Sequence, residues 1–168
     1  LGFPPMIFSK TKPFLLYSLV ITKMLPCEVM TLETEIMKFA KGKPVLGLET
    51  LDFQMDLVDK MSYKSQANYL LETLDDKQKA LSEFKEMADT YKERDLEKLL
   101  KLTDDGDKMM ADFENEMLLK RNKAWIPEIT KLINKKSTFI AVGAGHLGGK
   151  EGVLQLLRNE GFTIRTIE

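Results

Sequence analysis

His146 and Glu49 are the two residues whose type and setting suggest chemistry most directly. His146 is the single histidine and lies in the glycine-rich stretch 143–149, directly after the apolar run 138–142, while Glu49 follows another apolar run, 44–48. If both runs are strands of one sheet, their ends share an edge where ligand sites form. Neutral imidazole and carboxylate are ordinary ligands for divalent metals, so the pair predicts a metal site. The alternative is structural: a hydrogen-bonded histidine in a turn and a glutamate that caps the following helix.

The same glycine-rich stretch matches the dinucleotide-binding pattern G-x-G-x-x-G, from Gly143 to Gly148. It follows an apolar run and precedes a helical pattern, which is the context that such a fingerprint needs. Glu168 follows the next apolar run, where an acidic residue would meet a ribose. The preceding sequence lacks the alternation of strands and helices that is typical of such domains. Nucleotide binding at this turn is therefore kept as an alternative.

Around these residues the sequence predicts an α/β protein with a parallel or mixed sheet. The segments 138–142, 150–160 and 162–167 indicate one strand–helix–strand unit, which implies a parallel pair with a right-handed crossover. The run 44–49 indicates a further buried strand. Gly42 is expected to end the helix before that strand in the left-handed conformation. Other helices are predicted from Pro13 to about Met24, and at about 32–40, 51–60 and 122–133.

Residues 61–120 have the strongly charged, helical pattern of a solvated surface. Their Met and Phe stripes, including Met110 and Phe113, are predicted to be core rather than a ligand box. The acidic stretch 104–107, which contains a glycine, is expected to break the helix. We predict a single domain over 1–168 with a helical insertion at 61–120.

Composition narrows the function classes. The 168 residues are 43% hydrophobic and 30% charged, which is typical of a folded domain. With 25 basic and 26 acidic residues the net charge is −1, so the basic excess of a general nucleic-acid binder is missing. The single cysteine, Cys27, excludes an internal disulfide and a cysteine zinc cluster. The apolar run 14–21 is shorter than the roughly 20 residues that span a bilayer, and it predicts a buried helix rather than a signal segment.

Three blocks of the sequence resemble the TraB/PrgY/gumN family, to which the metazoan TIKI proteases are related. The blocks are Gly47-Leu48-Glu49-Thr50 with Gln54, Arg121-Asn122 with Trp125, and Val142-Gly143-Ala144-Gly145-His146-Leu147 with Gly152 and Leu156-Leu157-Arg158. Their order and spacing resemble the family over nearly the whole chain. The resemblance implies an α/β fold and metal-dependent hydrolysis, with proteolysis the activity attributed to the TIKI branch.

The resemblance also implies roles for residues of this chain. Glu49 and His146 would bind a divalent metal ion and, with Arg121, form the catalytic set. Arg121 would hold a substrate carboxylate or a developing oxyanion, and its alternative is a salt bridge to an acid of the helical region. Gln54 and Asn122 are expected to support the site as hydrogen-bond partners.

The family pattern contains two Gly-x-x-His motifs, of which Gly143 and His146 form the second. The first motif is absent from the given sequence, because the family has it upstream of the position of Leu1. Since the sequence begins with leucine rather than methionine, we expect a fragment that lacks this strand. The alternative is a member that has lost half of its metal site. In either case the catalytic set is expected to be incomplete and the fragment inactive.

The resulting hypothesis is a metal-dependent, peptidase-like hydrolase that acts on a peptide or protein, with the metal held by His146, Glu49 and an upstream histidine. A regulatory protein that binds haem, a metal or a peptide without turnover is the alternative from a different class. Nucleotide binding at the glycine turn is the third hypothesis. No nucleic-acid partner and no transmembrane segment are expected. Many bacterial relatives look exported, which favours an extracytoplasmic location.

Overall fold

The computed structural model describes residues 4–26, 28–104 and 115–167, and its regular elements there are helical. The α-helices are α1 Pro13–Met24, α2 Leu32–Phe39, α3 Leu51–Asp59, α4 Tyr63–Asp75, α5 Lys77–Glu93, α6 Leu96–Asp104, α7 Arg121–Ile133 and α8 Val153–Asn159. Short 3-10 helices at Pro5–Phe8 and Ala144–His146 and a π-helical turn at Asn115–Lys120 accompany them. Cys27, Met110, Phe113, Glu168 and the part of the predicted break from 105 to 107 lie outside the described residues.

The predicted α/β fold is wrong, because the described residues contain no strand and form an all-helical fold. The runs 44–48, 138–142 and 162–167 have no regular secondary structure. Phe139 is 79% exposed, whereas the adjacent Ile140 packs against the helical core. An apolar run between chain breakers indicates that some of its side chains are buried. A strand also needs a neighbouring backbone to pair with, and periodicity does not report one.

The predicted helices agree better with the structure. α1 begins at Pro13, as expected for proline in the first turn. The observed bounds of α2, α3 and α7 lie within one residue of the predictions. Gly42 has a φ of 73°, the left-handed conformation predicted beyond α2. The last predicted helix is shorter than expected, because it begins only at Val153.

The chain divides into two compact units, Leu1–Gly47 with Val58–Lys85 and Leu48–Leu57 with Glu86–Glu168. In the first unit, the buried Gln66 donates from Nε2 to the carbonyls of Val58 and Met61. In the second unit, all the candidate site residues are present. The predicted single domain with an insertion at 61–120 stays a prediction.

The core of the second unit lies between α7 and α8. Trp125, Ile126 and Ile129 of α7 pack against Val153 and Leu157 of α8, and Ile129 is fully buried. Partly buried apolar side chains surround them, namely Leu48, Ile133, Ile140, Val142, Leu156, Phe162 and Ile164. This packing fixes α7, whose first turn carries the polar residues of the site. Within the described ranges, every helix is too short or too polar to span a bilayer.

Candidate functional site

Glu49 is the centre of a buried polar network. Arg121 donates from Nε to both carboxylate oxygens, at 3.0 and 3.1 Å, and from Nη2 to Oε1 at 2.6 Å. Trp125 donates its indole N–H to Oε2 at 2.9 Å, and Gln54 donates from Nε2 to Oε1 at 2.7 Å. The side chains of Glu49 and Arg121 are only 9% and 14% exposed, so water does little to screen the pair.

Helical spacing on α7 explains how these donors converge. Arg121 and Trp125 are four residues apart and therefore lie on one face of the helix. The guanidinium carbon of Arg121 lies 5.0 Å from the centre of the Trp125 ring, a cation–π contact. Arg121 also donates from Nη1 to the carbonyl of Met117 at 2.9 Å. The orientation of the guanidinium is thus fixed by its neighbours.

His146 occupies the other half of the network. Its Nδ1 lies 2.7 Å from Oδ1 of Asn122, whose Nδ2 donates to the carbonyl of Glu151 at 2.9 Å. Because the Asn122 amide is oriented by that second bond, its oxygen faces the imidazole and can only accept. The hydrogen-bond network therefore assigns the proton to Nδ1 and leaves Nε2 unprotonated in the neutral ring. Nε2 has no hydrogen-bond partner in the part of the chain that the structure describes.

Trp125 joins the two halves. Its ring centre lies 4.5 Å from that of His146, while its N–H binds the carboxylate of Glu49. The network therefore links the predicted residues Glu49, Arg121 and His146 through Trp125, to which the sequence predictions assigned no role at the site. The sequence contains a pattern that could have indicated this role of Trp125. Trp125 belongs to the Arg-Asn block, and it follows Arg121 by four residues, which places both side chains on one face of a helix.

The electrostatic environment keeps Glu49 ionised and His146 neutral. Burial alone would raise the pKa of Glu49, but hydrogen bonds from Arg121, Gln54 and Trp125 and the charge of Arg121 together hold that pKa below its usual value. Burial and the nearby positive charge of Arg121 lower the pKa of His146 to about 4, although Glu49 acts in the opposite direction. At neutral pH the site therefore contains a carboxylate, a guanidinium and an uncharged imidazole.

The three predicted supporting residues, Gln54, Asn122 and Gly143, contact Glu49 or His146. Gln54 and Asn122 make direct hydrogen bonds to Glu49 and His146, and their functional roles stay predictions. Gly143 accepts a hydrogen bond from the His146 amide through its carbonyl at 2.9 Å. A Cβ on Gly143 would lie 3.7 Å from Cδ2 of His146, an ordinary contact, so packing does not require glycine there. Among the described residues, Arg121 forms its ion pair with Glu49 and not with an acid of the helical region, which was the alternative.

Of the two predicted metal ligands, only His146 has a donor atom that is free to bind a divalent ion. Nε2 of His146 is an open imidazole donor whose other nitrogen is held by an amide oxygen, an arrangement typical of metal-binding histidines. Both oxygens of Glu49 already accept hydrogen bonds from nitrogen donors. A metal ion on that carboxylate therefore requires Arg121 to leave. Among the described residues, no cluster of three or more histidine, cysteine, aspartate or glutamate side chains could hold a metal.

Close packing requires glycine at Gly148 and Gly152, and the surroundings of Gly148 do not form an open phosphate cradle. A Cβ on Gly148 would lie 2.9 Å from Cδ1 of Leu100 and 3.3 Å from Cβ of Leu96, because the turn lies directly against α6. A Cβ on Gly152 would lie only 2.0 Å from the carbonyl oxygen of Gly148. The backbone space that a pyrophosphate would need beside Gly148 is therefore occupied by α6 side chains.

The fold and the network together define a helical protein with a buried cluster of glutamate, arginine, tryptophan, asparagine and histidine. Comparison with known families identifies it: the model of the TraB/PrgY/gumN family matches residues 1–166. The chain belongs to this family, as its three sequence blocks predict. Searches of curated proteins and of solved structures found no match.

Proposed function

We propose that this protein is a metal-dependent, peptidase-like hydrolase in which Nε2 of His146 is a metal ligand. The state of the imidazole carries the proposal: Asn122 fixes Nδ1, the lowered pKa keeps the ring neutral, and Nε2 is left as a free donor. A neutral, oriented imidazole is the form that binds divalent metals. Membership of the TraB/PrgY/gumN family supports the same class of activity.

A divalent ion held by Nε2 of His146 would supply Lewis acidity toward a carbonyl oxygen and would lower the pKa of a bound water. The residues of this chain contribute binding and orientation. Three nitrogens of Arg121 donate to Glu49 and Met117, yet a guanidinium has more N–H groups than these bonds use. The remaining N–H groups suit a substrate carboxylate or an oxyanion.

Glu49 has a different role in this proposal from the predicted one. Its five contacts to nitrogen donors hold the guanidinium of Arg121 and the indole of Trp125 in place. We assign it as a positioning residue for Arg121. Direct ligation of the metal by Glu49 stays a prediction that requires this ion pair to open.

The single tryptophan provides a direct metal-binding assay. The ring of Trp125 lies 4.5 Å from His146, so a Co²⁺ ion bound at Nε2 quenches its fluorescence. We expect saturable quenching by Co²⁺ that His146→Gln abolishes and the exposed control Asn159→Asp retains. Glu49→Gln separates the two roles, because a positioning residue leaves quenching in place and a metal ligand does not.

Hydrolysis is measured with a library of quenched fluorescent peptides, in the presence of Co²⁺ or of a chelator. The assay uses a form of the protein that carries both Gly-x-x-His motifs of the family, because the catalytic set of residues 1–168 alone is expected to be incomplete. The proposal expects cleavage that depends on the metal, is lost in His146→Gln and falls by about tenfold or more in Arg121→Lys. The same conservative change at the exposed Arg158 is the matched control and retains cleavage. Metal binding without cleavage of any peptide would contradict the proposal and support the regulatory alternative.

A further inference from the structure

A cavity of about 440 Å³ lies beside the histidine turn within the second unit. Ala144 and Leu147, which flank His146 in the chain, form one wall, and Leu96 and Leu99 of α6 contribute to the lining. Its volume falls within the usual range for sites that bind small molecules, and apolar side chains predominate in its wall. The network around Glu49 does not use this cavity.

Arg94 brings a positive charge to the edge of the cavity. It lies between α5 and α6, is exposed, and adopts a positive φ of 60°. The acids on either side of it are engaged elsewhere. Glu93 pairs with Lys98 at 2.8 Å. Asp95 also lines the cavity and accepts from the Lys98 amide at 2.9 Å as it caps α6. Lys92, the other charged lining residue, pairs with Asp89 at 2.9 Å. Arg94 itself has no ion-pair partner among the residues that the structure describes.

We infer that this cavity binds a peptide whose last residue is large and apolar, with the side chain among Leu96, Leu99 and Leu147 and the carboxylate at Arg94. Apolar wall residues beside a guanidinium that has no ion-pair partner among the described residues are complementary to that ligand, because the wall covers the apolar side chain and the guanidinium binds the carboxylate. The choice of a peptide rests on the proposed hydrolase function. The cavity is lined by Ala144 and Leu147, the neighbours of His146 in the turn, but not by His146 itself. Its role would therefore be to select the substrate, while the chemistry takes place at His146.

The ligand chemistry is tested with three probes: N-acetyl-phenylalanine, its amide, and N-acetylglycine. The amide lacks the carboxylate and N-acetylglycine lacks the apolar side chain. Binding to the 168-residue chain is followed by an NMR chemical-shift titration. We expect saturable shifts with the first probe and affinities at least about fivefold weaker with the other two.

Two variants test the location. Arg94→Asn removes the charge while keeping a residue that tolerates a positive φ, so the fold is retained, and we expect binding to be at least about fivefold weaker. Ala144→Leu reduces the cavity volume and should have a similar effect, with its melting temperature measured in parallel. The exposed Arg158→Gln on α8 is the control for loss of a positive charge and leaves binding unchanged.

Absence of saturable binding of N-acetyl-phenylalanine up to about 10 mM, or equal binding by Arg94→Asn and the unchanged chain, overturns the inference. Two outcomes distinguish failure of this inference from failure of the proposed hydrolase function. If the 168-residue chain and its His146→Gln variant both bind the probe, but the form with both Gly-x-x-His motifs cleaves no peptide, the cavity assignment stands and the hydrolase does not. If peptides are cleaved but the probe ignores Arg94, the hydrolase stands and the cavity assignment does not.

Discussion

Replacing Glu49 by glutamine tests whether the buried ion pair holds the site together. The carboxylate is 9% exposed and its oxygens accept from Arg121, Trp125 and Gln54. Removing one partner of a buried ion pair destabilises a protein by about 3–5 kcal/mol, because the other charge is left uncompensated. Glutamine retains one oxygen that accepts hydrogen bonds, so we expect the lower end, about 3 kcal/mol. For a chain of this size that loss lowers the melting temperature by about 6–12 °C.

The assay is urea and thermal unfolding at pH 7, followed by the fluorescence of Trp125. This tryptophan donates directly to Glu49, so its emission reports on the unit that contains the site. Glu160→Gln is the matched control, because Glu160 is exposed and the change should alter the free energy of unfolding by less than about 0.5 kcal/mol. Equal losses in Glu49→Gln and Glu160→Gln would refute the argument that the pair is energetically important.

A double-mutant cycle separates the pair from the other contacts of Glu49. Arg121→Met alone leaves the buried carboxylate without its cation and is expected to cost about as much as Glu49→Gln. Once Arg121 is methionine, Glu49→Gln should cost far less, with a coupling free energy of about 1–3 kcal/mol. Additive losses would show that the two side chains contribute independently, which the three hydrogen bonds between them argue against.

Three further predictions follow from the same geometry. Burial lowers the pKa of His146 to about 4, so the unfolded chain binds the proton more tightly than the folded chain does. The free energy of unfolding should therefore fall by up to roughly 3 kcal/mol as the pH decreases from 6.5 to 4. Urea unfolding should show a smaller loss in His146→Gln. Asn122→Asp places a negative charge against Nδ1 and should raise the pKa of His146; the single imidazole signal in NMR measures it, and an equal rise in Asn159→Asp would contradict the contact. Gly152→Ala brings a Cβ within 2.0 Å of a carbonyl oxygen and should lower stability by about 2 kcal/mol or more in urea unfolding, whereas Gly145→Ala, with 3.9 Å of space, should stay close to the unchanged protein.

The sequence by itself determined most helices, and it singled out residues that the structure brings together in one buried network. Helical spacing, Pro13 and Gly42 marked local elements correctly, because these signals act within a few residues of chain. Glu49, Arg121 and His146 stand out by residue type and by the blocks that contain them, and the same blocks indicate the TraB/PrgY/gumN family. A single histidine can be recognised without knowing what surrounds it.

Tertiary structure decided the fold class and the state of each site residue. The apolar runs near Val45, Ile140 and Ile164 have the composition of strands, yet strand pairing depends on a distant backbone that local sequence does not specify. The pairing of Glu49 with Arg121 also crosses a long stretch of chain, and Trp125 reaches both Glu49 and His146 only once α7 is packed. Burial then sets the charges, because the pKa of a side chain depends on the solvent and the partners that the fold leaves around it.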